Sequence, residues 1–122
     1  MTDLFLACAH GDTELVRTLI REGNTDWDDG LAGACSGGHL YLAHLMVECG
    51  ARNWDYGLCC ACFGGSRELV DYMIEQGATY WNGGMTQARL RNHPELITLM
   101  MRHGATNTCP RFQDDEGISR SR

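Results

Sequence analysis

The sequence predicts an all-α protein in which four short helix–turn–helix units stack into a solenoid. Three observations lead there. Shifting the chain by 27 residues brings Trp27, Trp54 and Trp81 into register, with Gly30, Gly57 and Gly84 and the series Ala7, Ala34, Ala61 and Ala88. Residues 27–53 and 54–80 are identical at 13 of 27 positions, where unrelated segments of ordinary composition would share roughly two. Within each unit, apolar residues recur at the three- and four-residue spacing of an amphipathic helix. Two such helices cannot bury their stripes alone, so neighbouring units must complete the core.

The first helix of each unit is expected to begin at Asp28, Asp55 or Asn82, whose side chains cap well. It runs about eight residues to the turn at Gly37–Gly38 or Gly64–Gly65. The second begins at Asp12, His39, Ser66 or His93. Asp and Ser are strong caps, and Pro94 stands at a first helical position, where its missing N–H costs nothing. Glu14, Glu68 and Glu95 follow in the first turn, on the favourable side of the helix dipole. The stripe is Leu42, Leu45, Met46 and Cys49 in one unit and Leu69, Tyr72 and Met73 in the next. Gly23, Gly50, Gly77 and Gly104 fit the left-handed residue that ends a helix. Small residues such as Ala34 and Cys35 let neighbouring helices approach closely.

The end units are atypical, as a stack requires. In the last, the core-type cysteine becomes Arg89 and the turn glycines become Arg91 and Asn92, giving a polar outer face. No Trp loop precedes the first unit. The repeat domain spans 2–105, and residues 106–122 lose the pattern and read as a disordered tail.

Composition narrows the function. The chain has 122 residues, one domain's worth, with 10 basic against 16 acidic residues and a net charge of −6. That balance argues against nucleic acid and anionic membranes, both of which call for clustered positive charge. No apolar run approaches a membrane span, and the N-terminus lacks the pattern of a signal peptide. Seven cysteines, an odd number, without such a signal point to a reducing compartment. The expected location is the cytoplasm, with the nucleus as the other option. Every basic residue is Arg and none is Lys, which fits biased codon usage or avoidance of ubiquitin attachment.

The string Gly30–Ala51, GLAGACSGGHLYLAHLMVECGA, resembles the ankyrin repeat. The matching elements are the small pair Ala34–Cys35, the Gly38–His39 turn and the LxxLMxxxGA second helix, repeated in register one and two units on. The resemblance covers residues 2–105. It departs from the family in unit length, because six residues are missing between Ala51 and Gly57 where ankyrin units carry a β-hairpin finger. The family's TPLH start is also replaced by Asp29-Gly30-Leu31-Ala32 and its equivalents. Compact, Trp-containing units of this kind look like the divergent ankyrin arrays of large DNA viruses and some microbes, which would place the protein in host cytoplasm. The resemblance implies a scaffold for protein–protein recognition with hairpin fingers shortened or absent.

The tryptophan ladder is expected to be structural. Each indole would pack over the neighbouring unit in place of the lost finger, and Gly30, Gly57 and Gly84 would make room for it. An aromatic rail for a partner is the other reading, but a binding surface usually varies between repeats.

Cys59, Cys60 and Cys62 invite a metal site, with His39 and His44 nearby. Cys62, however, occupies the same small core position as Cys8 and Cys35, no second CxxC exists, and zinc needs four convergent ligands. No metal or other cofactor is expected. Catalysis is not expected either. No GxSxG, HExxH or P-loop string occurs, and Asp28–Asp29 and Asp114–Asp115 read as solvated pairs.

Partner-binding residues belong where the scaffold is exposed and the repeats differ. These are the ends of the first helices, Ser36, Phe63 and Leu90, and the preceding positions Asp29, Tyr56 and Gly83, with Arg52–Asn53 and Thr79–Tyr80 nearby. Phe63 and Tyr56 stand out as large aromatics at positions that sister units fill mostly with small or polar residues, and hot spots favour aromatics. The competing reading is that Phe63 fills a gap between units. Charge is also uneven: residues 1–29 carry a net −5 and residues 84–110 a net +2, which reads as two solubilising ends or as a gradient that orients a partner.

Together these readings predict a monomeric, non-catalytic module that binds an unidentified protein on the ridge of its first helices. The alternative is a structural spacer or solenoid remnant with no specific partner.

Overall fold

A computed structural model describes residues 2–106, and among them it contains eight helices and no strand. The helices are α1 (Asp3–His10), α2 (Thr13–Arg21), α3 (Trp27–Gly37), α4 (Leu40–Cys49), α5 (Trp54–Gly64), α6 (Arg67–Gln76), α7 (Trp81–Leu90) and α8 (Pro94–His103). The odd-numbered helices lie side by side in chain order, and each even-numbered helix packs back on the helix before it. None of the described helices is long and apolar enough to cross a membrane.

The core follows the 27-residue register. Leu4, Leu31, Leu58 and Met85 occupy one buried position, and Ala7, Ala34, Ala61 and Ala88 another. Cys8, Cys35 and Cys62 fill a third, and Met46, Met73 and Met100 a fourth. Burying each large side chain contributes about 1.5–3 kcal/mol, so the repeated leucines and methionines supply much of the core's stability. Glycines at the contacts bring the odd helices together: a Cβ on Gly33 would strike the carbonyl oxygen of Phe5, and one on Gly64 that of Ser36.

Several local expectations need correction. The first helices begin at Trp27, Trp54 and Trp81, one residue earlier than the caps predicted at Asp28, Asp55 and Asn82. Those three side chains lie inside the first turn and hold the loop that closes their own unit. Asp28 Oδ1 accepts the backbone N–H of Arg52 (2.7 Å) and of Asn53 (2.9 Å). Asp55 Oδ1 accepts those of Thr79 (2.8 Å) and Tyr80 (3.1 Å). Asn82 Oδ1 accepts that of Thr106 (2.8 Å). Thr106 therefore belongs to the last unit rather than to the tail predicted over 106–122; the rest of that tail lies outside the described residues.

Asp12 and Ser66 cap α2 and α6 as expected, accepting the N–H of Leu15 (3.1 Å) and Leu69 (3.4 Å). His39 and His93 occupy the N-cap positions of α4 and α8 as expected but make no side-chain cap bond. His39 turns back to the preceding unit, where its Nε2 donates to the carbonyl of Ala9 at 3.2 Å, and its ring lies against Gly11. His93 lies against Gly65 in the same way. In the last unit Asn92 keeps the left-handed conformation (φ 60°) that Gly11, Gly38 and Gly65 adopt in the others, a role open to Asn because its short polar side chain tolerates that region.

The indoles are not what approaches Gly30, Gly57 and Gly84. A Cβ at those glycines would meet the sulfur of Met46, Met73 or Met100 from the second helix of the same unit. Each Trp is half-buried against the core. Trp27 borders Gly50 and Trp81 borders Gly104, and Trp81 stacks on His103 with centroids 4.6 Å apart. These two indoles thus pack on the closing end of their own unit.

Candidate partner-binding groove

One face of α5 carries Tyr56, Cys59, Cys60 and Phe63, spaced i, i+3, i+4 and i+7, which places them on one stripe of the helix. Ser36 from the end of α3 and Gln87 from α7 stand on either side. The six residues line an open groove of about 370 Å³. It exists because the odd helices run side by side, so residues of three successive units meet on one surface.

Its aromatic residues differ in how free they are. Tyr56 is 39% exposed, and Asn53 Oδ1 fixes its backbone by accepting the Tyr56 N–H at 3.2 Å. Burial pushes the Tyr56 hydroxyl pKa up, with Cys60 and then Asp29 adding to it, so the phenol remains a neutral hydrogen-bonding group. Phe63 is half-buried. The Arg91 guanidinium lies over its ring, 4.6 Å from the centroid, a cation–π contact between consecutive units.

The groove thiols are held protonated. Burial pushes Cys59 up to about 11, with Cys60 and Asp55 reinforcing it. Burial also raises Cys60, against a hydrogen bond with Ser36 that lowers it. In the core, burial pushes Cys8 up to about 11 and, with help from Cys59, Cys62 up to about 12. A nucleophilic cysteine requires a lowered pKa, and these environments act in the opposite direction. The six described cysteines are all free, and no group of three or more His, Cys, Asp or Glu among the described residues is placed to hold a metal ion.

The structure brings together three of the six predicted contact residues, Ser36, Tyr56 and Phe63. Tyr80 borders the same groove: both its ring and Cys59 Sγ stand against Gly83. Asp29 is half-buried on α3 and acts on the Tyr56 hydroxyl. Leu90 does not line the groove; it stands at the end of α7, 68% exposed. Sequence reasoning missed Gln87 and Arg91 as members of this surface and considered Cys59 and Cys60 only as metal ligands. The i, i+3, i+4, i+7 spacing from Tyr56 could have found the two cysteines. Nothing local in the sequence signals that Arg91 folds back over Phe63.

No protein-family model matches the chain, and comparison with curated proteins finds no significant relative.

Proposed function

We propose that the chain is a short ankyrin-like solenoid that acts as a non-catalytic protein-interaction module, binding a partner protein in the groove across α3, α5 and α7. The observation that carries this reading is the groove itself. It places a partly exposed tyrosine, a half-buried phenylalanine and three small polar or sulfur-bearing side chains on one preformed surface. Rigid aromatic anchors bind at low ordering cost. The 27-residue register and the side-by-side odd helices support the solenoid architecture. The protonated thiols weigh against a nucleophilic role for these cysteines.

One observation favours the alternative of a structural spacer: Arg91 already covers Phe63, as expected for a residue that seals two units. Affinity capture from a cytosolic extract separates the two, comparing wild type with a Tyr56→Ser/Phe63→Ser variant whose helix content is verified by circular dichroism. A protein retained by wild type and lost from the folded variant establishes the groove. Equal capture by both moves the site elsewhere, and no specific capture by either withdraws the module reading.

A further inference from the structure

The two ends of the stack are complementary to one another. Inside the molecule, the residues that join one unit to the next fall at fixed registers. On the first helices, the carbonyls of Phe5 and Ala9 meet positions 33 and 37 of the following unit. On the second helices, Arg17, Ile20 and Arg21 of α2 share a cleft with Leu45 and Cys49 of α4. Carrying these pairings past the ends is a matter of counting in steps of 27. The outgoing face of the last unit then presents Thr86 and Leu90 from α7 and Thr98, Met101 and Arg102 from α8. The incoming face of the first unit presents Leu6 and His10 from α1 and Thr18 and Glu22 from α2.

Both faces carry apolar side chains that are exposed among the described residues. Leu42, Leu69 and Leu96 are buried in units that have a predecessor, whereas Leu15, the same position in the first unit, is 43% exposed, and Leu6 is 42% exposed. At the other end Met101 is 49% exposed, while its counterparts Ile20, Val47 and Ile74 are half-buried. The charges match as well. The register sets the exposed Arg102 opposite the exposed Glu22, and the chain segments around the two faces carry opposite net charge.

We infer that a second copy of this chain docks head to tail, its α1/α2 face on the α7/α8 face of the first, with Leu6 against Thr86, Leu90 against His10 and Glu22 opposite Arg102. This departs from the monomer that the sequence alone suggests. The contact is heterologous, so nothing closes it and further copies can add. Leu6 stands at the register of Gly33, where α1 and α3 approach most closely, so the docked copy sits at a wider spacing. The fold already contains such a spacing: α7 packs on α5 with Gln87 at this register. The charged rim makes association sensitive to salt.

Sedimentation equilibrium on the full chain tests this. Wild type is expected to show a weight-average mass that rises with concentration above the single-chain 13.6 kDa, without levelling at a dimer, and falls as salt is added. Leu6→Arg disables the incoming face and Met101→Asp the outgoing face; each alone is expected to remain a single chain. Their equimolar mixture retains one intact pair of faces and is expected to stop at a dimer. Circular dichroism verifies that both variants are folded. Should either fail to fold, Glu22→Arg and Arg102→Glu take their place, each weakening association and the two combined in one chain restoring it. A wild-type mass that stays at the single-chain value overturns the inference. So does association that the variants leave intact, or a mixture that remains monomeric.

Discussion

Replacing Asp55 by Ala tests the most specific local feature of the fold. The carboxylate sits in the first turn of α5 and accepts two backbone N–H groups from the loop leading into α7, at 2.8 Å and 3.1 Å. It thereby ties the start of one first helix to the chain that enters the next. A hydrogen bond to a charged group contributes about 1.5–3 kcal/mol when buried. This site is exposed, so water can satisfy the freed N–H groups, and the closer analogy is loss of a helix cap, about 0.5–2 kcal/mol. The carboxylate also lies at the positive end of the α5 dipole, worth about 0.3–1 kcal/mol. Asp55→Ala is therefore expected to cost about 1–2 kcal/mol, a drop in Tm of roughly 4–8 °C per kcal/mol for a domain of this size. Asp55→Asn keeps the acceptor and loses only the charge, as Asn82 does naturally in the last unit, so it should recover more than half of the loss. The assay is urea denaturation followed by circular dichroism on the three proteins. A wild-type midpoint for Asp55→Ala, or equal damage from the two substitutions, would refute the argument that the acceptor oxygen matters.

Two further outcomes follow from packing and burial. Gly33→Ala should destabilise the protein by up to about 2 kcal/mol, because the new methyl strikes the Phe5 carbonyl oxygen and overpacking of about 1–3 kcal/mol is set against a roughly 1 kcal/mol gain in helix propensity; a raised denaturation midpoint would contradict this. Stability should also fall above pH 9. Cys8 and Cys62 have an ordinary thiol value of 9.0 when unfolded and about 11 and about 12 when folded, so their contribution is complete below 9 and is lost as pH rises toward the folded values. Each thiol costs about 1.4 kcal/mol per pH unit in that window. Denaturation midpoints measured at neutral pH and above pH 9 check the effect in wild type and in Cys62→Ala, which should show a shallower fall.

Much of the secondary structure was legible because periodicity is a local property. The glycines expected to end the second helices do have positive φ, as at Gly50 (135°) and Gly77 (118°), and Pro94 opens α8. Apart from the early start of the first helices and the boundary at Thr106, the misreadings concern where a side chain goes once the backbone is placed. Asp28 looks like a cap from its position in the sequence, and His39 marks a helix start without revealing where its ring goes. Asp28 instead grips the loop 24 residues later, and His39 reaches a carbonyl 30 residues earlier. Gly30 was matched to an indole because Trp27 is near it in sequence, yet Met46 occupies the space.

The sequence by itself determined the helical class, the 27-residue unit and the core register, because each follows from spacing and residue size along the chain. Only the tertiary structure decided which residues share a surface. Phe63 and Arg91 meet, and Tyr56 and Phe63 join Ser36 and Gln87 around one groove, because α3, α5 and α7 lie side by side. A repeat specifies each helix by local preference, but the contacts between units depend on how closely glycines and methionines let neighbouring helices approach, and that distance is set by packing in three dimensions.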